Sequence, residues 1–292
     1  MGSPVVIDPK NGTCHINGVQ YPAVGFGTFR LKNEACTQAV KEAINAGYRI
    51  IDTATLYENF RAIARALKGQ DRSHFYLISK VWPDRHLPEN LRKDLDQTLE
   101  QLEIDYLDAY LLHWPNSKIP IGPTLNAMEQ LRKEGKIRHI GLSNVTVNHL
   151  KRALEFKIPI TWVQVEMHPN FCDFGLLEYC SKHAMTLQAW RPLDLGRAQA
   201  NQMLEETGKK YKKTACQVAL KWIIQHECVP LPSSKTKLHI EENSDISGFI
   251  LSEEEMERID KNAIKGERFC LAKERFGFTD EFDFSYEQCW PD

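Results

Sequence analysis

The fold class predicted for this sequence is α/β, a (β/α)8 or TIM barrel, and three observations carry that prediction. Eight short apolar runs alternate with longer amphipathic segments from about residue 24 to about residue 250. No G-x-G-x-x-G turn follows the first run, as a doubly wound dinucleotide sheet would require; GFGTF at 25–29 has the wrong glycine spacing and opens no helix. The 292 residues also leave room for one barrel of about 250 residues with short additions at both ends.

Taken in order, the runs rich in Val, Ile, Leu and aromatic residues are 23–28 (AVGFGT), 49–52 (RIID), 75–80 (FYLISK), 106–113 (YLDAYLLH), 138–143 (RHIGLS), 161–166 (TWVQVE), 185–190 (MTLQAW) and 228–232 (CVPLP). Their length and β-branched content predict buried strands. Between them, helical periodicity falls at 33–47, 58–68, 88–103, 123–135, 146–155, 174–183 and 238–245, while 200–226 is long enough for two helices. End signals agree: Asn33 before Glu34, Gly47 after the first helix, Pro88 opening the third and Gly135 closing the fourth. Ahead of the first barrel strand, VVIDPKNGTCHING (5–18) predicts a β-hairpin around Pro-Lys-Asn-Gly, placed to plug the bottom of the barrel. After a last helix at 252–262, an aromatic-rich segment from 263 to 292 has little periodicity and is expected to pack on the barrel as a C-terminal loop. Nothing repeats at a fixed period and no linker composition intervenes, so residues 1–292 are read as one domain.

Composition narrows the function. With 42% hydrophobic and 26% charged residues the chain can bury a large core. A formal charge of −2 offers no electrostatic footprint for nucleic acid or an anionic membrane. No run reaches the roughly 18 apolar residues of a membrane span, and the N-terminus lacks signal-peptide order. A cytoplasmic protein is expected. The eight cysteines form no C-x-x-C pair and read as reduced thiols filling small apolar sites.

In such a barrel, chemistry sits at the C-terminal ends of the strands. The residues ending these runs are Asp52, with Tyr57 five residues on, Lys80, His113, Ser143 with Asn144, and Glu166 with Gln164 two residues earlier. Ionisable and amide groups emerging from successive hydrophobic strands are costly to bury unless they satisfy one another or a ligand. Taken together they point to a site.

GYRIIDTATLYEN, LISKVWP, YLLHWP, KIRHIGLSN and VQVEMHP, in this order and at this spacing, resemble the aldo-keto reductase superfamily from about residue 14 to about residue 262. The resemblance implies an NADP-dependent oxidoreductase reducing a small-molecule aldehyde or ketone, with catalytic residues Asp52, Tyr57, Lys80 and His113. Tyr57 would be the general acid, and Lys80, held charged by Asp52, would lower the phenol's pKa from near ~10. His113 would orient the carbonyl.

The resemblance also places Thr28, Ser143, Asn144, Gln164, Trp190, Arg191, Leu193, Ser233, Ser234, Lys235, Thr236, His239, Glu242 and Asn243 on the cofactor. Phe29, Trp82, His113 and Trp114 would line the substrate pocket, so aromatic or medium aliphatic aldehydes should outperform small polar sugars. Trp190 stands where the family usually stacks a Tyr on the nicotinamide. Arg191 replaces a small polar residue beside the pyrophosphate. Phe60, Ala64, Val145 and His239 also depart from the usual pattern. Ser233 and His239 replace a Lys and an Arg common in the family, but Lys235 supplies the cation of another branch, so NADPH is expected over NADH. A monomer with no metal is expected. Two other readings are a catalytically weak cofactor-binding scaffold or sensor of the same fold, and a metal-dependent barrel hydrolase using Asp52, Glu166 and His168.

Overall fold

The computed structural model describes residues 3–266 and 268. Three short strands come first: β1 (Val5–Asp8), β2 (Thr13–Ile16) and β3 (Val19–Pro22), paired antiparallel in that order. The expected hairpin is therefore present, with a third strand added. Its signal is a second Asn-Gly pair, Asn17 at φ +49° and Gly18 at φ +82°, the left-handed pair that a two-residue hairpin turn needs. The sheet does cover the bottom of the barrel. Asn17 Nδ2 bonds His139 Nε2 at 2.9 Å, Ser3 Oγ lies 3.3 Å from Thr186 Oγ1, and the Tyr21 ring meets the Tyr76 ring edge-on.

Eight parallel strands follow: β4 (Phe26–Gly27), β5 (Ile50–Asp52), β6 (Tyr76–Val81), β7 (Leu107–Leu112), β8 (Ile137–Ser143), β9 (Trp162–Glu166), β10 (Thr186–Trp190) and β11 (Val229–Leu231). Each pairs with its neighbour in chain order. The barrel closes where the Gly25 N–H donates to Pro230 O and the Gly27 N–H to Pro232 O, both at 2.9 Å. The first strand pairs regularly over only two residues rather than six. Glycine is required there because a Cβ on Gly27 would stand 2.9 Å from Leu231 O.

The helices match the sequence reading to within a few residues: α1 (Asn33–Asn45), α2 (Phe60–Leu67), α3 (Pro88–Leu102), α4 (Ile121–Lys133), α5 (Val147–Leu154), α6 (Phe174–Lys182), α7 (Gln202–Tyr211), α8 (Ala215–Gln225), α9 (Lys237–Ser244) and α10 (Glu253–Ala263). Reciprocal capping boxes start α5 (Thr146 with His149), α8 (Thr214 with Gln217) and α10 (Ser252 with Glu255). Asn33, expected as a cap, is instead the first residue of α1, at φ +51°. Gly47 and Gly135, at φ +95° and +78°, end α1 and α4 as expected. The strands are buried almost throughout, which is why they read as continuous apolar runs rather than alternating ones.

Among the described residues no helix is long and apolar enough to cross a membrane. Six cysteines there are free thiols. The expected C-terminal loop lies outside the described residues.

Candidate active site

Asp52 ends β5 and Lys80 lies near the end of β6, so parallel pairing sets both side chains at the top of the barrel. Both are buried. The Lys80 ammonium donates to Asp52 Oδ1 at 2.7 Å, to Thr53 O at 2.9 Å and to Tyr57 Oη at 3.3 Å. An ammonium has three N–H groups, and all three have acceptors. The other carboxylate oxygen of Asp52 accepts Gln164 Nε2 at 2.8 Å. Tyr57 comes from a single helical turn, Thr55–Tyr57, which the chain leaves through Glu58 at φ +53°. His113 follows β7; its ring is edge-on to Tyr57 at 5.7 Å and to Trp82 at 5.1 Å, while Phe29 lies 5.0 Å from Tyr57.

The electrostatics correct one expectation. The Tyr57 phenol is not lowered; burial, with the Asp52 charge second, pushes it well above the ordinary tyrosine value. Lys80 does not offset this, since its bonds to Asp52 and Thr53 are shorter than its bond to Tyr57. The phenol therefore keeps its proton, and Lys80 occupies its oxygen as a donor, leaving the O–H to point elsewhere. Burial draws Lys80 below the ordinary lysine value, with Asp52 opposing. Burial, then the Lys80 charge and then His86 hold His113 well below the ordinary histidine value, so its imidazole is neutral.

These directions predict the pH dependence of turnover. With His113 neutral, no ionisation of it should appear between about pH 6 and 8. The alkaline decline should begin below the ordinary lysine value of 10.5, because Lys80 loses its charge before Tyr57 loses its proton. A kcat profile from pH 5 to 11 checks both points, and a step near pH 6.5 that disappears in His113→Gln contradicts the first.

Above these groups lies a cavity of about 360 Å³ lined by Phe29, Tyr57, Trp82, His113, Trp114, Glu242 and Asn243. Ser143, Asn144, Gln164, Trp190, Arg191, Leu193, Ser233, Ser234 and His239 also line it. Asn144 sits at φ +60°; its amide donates to His113 O at 2.8 Å and to Ser143 Oγ at 3.1 Å and accepts from the Trp190 indole at 3.0 Å. Three residues expected on the cofactor are not on this lining. Thr28 is fully buried, with its hydroxyl donating to Asp52 O at 2.9 Å. Lys235 and Thr236 are exposed beyond the lining, at the entry to α9.

Sequence reading missed Leu56, Leu195, Gln199 and Cys216, all on the cavity wall. Leu195 and Gln199 lie in the 193–200 segment. Its irregular path, with Leu195 at φ +56° and Gly196 at φ +89°, is pinned by Asp194, which accepts Asn170 Nδ2 at 2.7 Å and Arg197 Nη2 at 2.6 Å. No period or spacing signals such a path. As for the metal reading, Asp52 is engaged by Lys80 and Gln164, and Glu166 by His168 at 3.2 Å. No three His, Cys, Asp or Glu side chains gather as a metal site among the described residues.

A parallel barrel with a Lys–Asp–Tyr cluster, a buried His and a largely apolar cavity at its strand ends defines a class of barrel oxidoreductases. The chain belongs to the aldo/keto reductase family, whose model matches residues 23–264. It is 40% identical over 248 residues to the glyoxal reductase of Bacillus subtilis (strain 168), covering 84% of this chain and 90% of that one. Against the methylglyoxal reductase DkgA of Escherichia coli (strain K12) it is 31% identical over 284 residues, covering 95% and 100%. The aldose reductase structure from Schistosoma japonicum superposes with a TM-score of 0.86 at 32% identity, covering 93% of this chain and 97% of that one. Aldo-keto reductases generally use nicotinamide cofactors.

Proposed function

We propose that this protein reduces aldehydes with NADPH, using Tyr57 as the proton donor. The observation that carries this reading is the geometry of the Tyr57 phenol, which accepts from Lys80 at 3.3 Å and shares a cavity lining with the adjacent His113 ring, 5.7 Å away. The donor set fits a nicotinamide. Ser143, Asn144 and Gln164 offer a hydroxyl and two amides to a carboxamide, the half-exposed Trp190 ring offers a flat face, and Glu242 and Asn243 share the lining. A reduced nicotinamide bound there supplies hydride. His113 donates its single N–H to the substrate carbonyl and orients it. Tyr57 Oη delivers its proton to that oxygen as negative charge builds there, and Lys80 stabilises the phenolate left behind. Asp52 keeps the ammonium charged and aimed. The aromatic walls exclude water and favour substrates with an apolar or conjugated group beside the carbonyl.

Initial rates over glyoxal, methylglyoxal, benzaldehyde and an open-chain sugar, each with NADPH and NADH, test the reading. Aldehyde turnover faster with NADPH, and with benzaldehyde ahead of the sugar, is expected. Lys235→Ala should weaken NADPH binding roughly ten- to a hundredfold and spare NADH, since a charge-assisted contact to phosphate contributes about 1.5 to 3 kcal/mol. A wild type that prefers NADH, or equal losses for both cofactors, would show that this loop does not read the 2′-phosphate. A protein that binds cofactor yet never oxidises it would be a scaffold of the same fold.

A further inference from the structure

Asp94 is buried on α3, a helix outside the barrel, and belongs to none of the groups discussed so far. Its Oδ1 accepts the Thr55 hydroxyl at 2.9 Å and the Tyr110 hydroxyl at 2.7 Å, and its Oδ2 accepts Arg85 Nη1 at 3.1 Å. Each partner stands beside a residue of the site. Thr55 is two residues before Tyr57 and begins the turn that carries it. Arg85 ends the Pro83–Arg85 turn that follows Trp82. Tyr110 lies in β7, three residues before His113. The Thr55 hydroxyl also lies 3.1 Å from Lys80 O, so the same contact reaches the strand that bears Lys80.

We propose that Asp94 is a positioning residue that holds the Tyr57 turn at its working distance from Lys80 and His113. This rests on the carbonyl-reduction reading above. The physical case follows from the turn's shortness and its few backbone bonds. Thr55–Tyr57 is only three residues long, its own backbone bonds are Tyr57 N–H to Ala54 O and Glu58 N–H to Thr55 O, and it has no side-chain cap. The Tyr57–Lys80 contact, at 3.3 Å, is the longest of the three that Lys80 makes, so a small drift of the turn breaks it first. A buried carboxylate is costly unless fully hydrogen-bonded, and three donors from three chain segments meet that demand only when those segments are in register. The satisfied carboxylate therefore sets the spacing of Tyr57, Trp82 and His113, although it touches none of them.

The test compares Asp94→Ala, Thr55→Val and Thr55→Ser with wild type, in kcat and KM for a reducible aldehyde and in NADPH affinity by tryptophan fluorescence. Each is then repeated in a Tyr57→Phe background under single-turnover conditions. A misplacement approaching 1 Å costs up to about a hundredfold, so Asp94→Ala and Thr55→Val should lower kcat roughly ten- to a hundredfold with cofactor affinity unchanged. Thr55→Ser, which keeps the hydroxyl, should stay within about twofold of wild type, and neither Asp94→Ala nor Thr55→Val should add more than about twofold in the Tyr57→Phe background. If Asp94→Ala does not fold, the Thr55 pair carries the same test. Unchanged kcat in Thr55→Val, equal losses in Thr55→Ser and Thr55→Val, or a full loss persisting without the Tyr57 hydroxyl overturns the proposal. A wild type inert on every carbonyl overturns the functional reading as well, whereas an active wild type with an equally active Thr55→Val overturns this inference alone.

Discussion

Replacing Tyr57 with Phe should lower turnover by about 10² to 10⁴, the range that a positioned general acid contributes, while NADPH affinity stays near wild type. The ring is retained, so its contacts with Phe29 and His113 persist and the cavity keeps its wall. Only the hydroxyl is lost, and with it the proton that burial holds on the phenol at neutral pH. Steady-state kinetics beside a fluorescence titration measure both quantities, because Trp82, Trp114 and Trp190 all line the cavity. Near-normal turnover would remove Tyr57 from the proposed chemistry.

The second large effect concerns the ion pair beneath it. Lys80→Met should lose about 3 to 5 kcal/mol of stability, because it strips the buried Asp52 carboxylate of its cation and leaves it the Gln164 amide. Turnover should fall with it, since nothing then stabilises the phenolate. Adding Asp52→Asn to Lys80→Met should recover most of the stability without activity, since no buried charge then lacks a partner and Asn can still accept from Gln164. Equilibrium urea unfolding of wild type, single and double variants reads this out. A double variant as unstable as Lys80→Met would mean that the lost stability comes from packing and not from the uncompensated charge.

The substitution at Trp190 shows how a departure from a family's usual residue can take part in a new bond. Its indole N–H reaches Asn144 Oδ1 at 3.0 Å, and that amide in turn donates to His113 O. The flat face that the proposed cofactor role needs is kept, and the amide orientation is fixed besides. Arg191 lines the same cavity, its guanidinium 5.4 Å from the centre of the Trp190 ring.

The barrel was legible in the linear chain because its signals are local. Parallel strands buried on both faces read as apolar runs, helices as 3.6-residue periods, and the turns at Gly47, Pro88 and Gly135 as side-chain chemistry acting within a few residues. The residues ending those runs were legible for the same reason, since a strand that stops on Asp52, Lys80 or His113 places that side chain at the top of a barrel without further information. Tertiary structure alone decided everything that depends on distance between segments. The two-residue first strand follows from how closely Gly25 and Gly27 approach β11. The upward shift of Tyr57 follows from its burial and from the Asp52 charge that packing brings near it. Thr28 is fully buried rather than lining the cavity because its hydroxyl bonds Asp52 O and accepts from the Asn59 amide, 31 residues away. Leu195 borders the cavity because bonds from Asn170 and Arg197 to Asp194 hold its segment in place, and Asp94 met Thr55, Arg85 and Tyr110 because α3 packs beside two turns and a strand. Hydrogen bonding and desolvation act over about 3 Å of space whatever the separation along the chain, so the sequence determined the elements and their chemistry, and packing determined which groups meet.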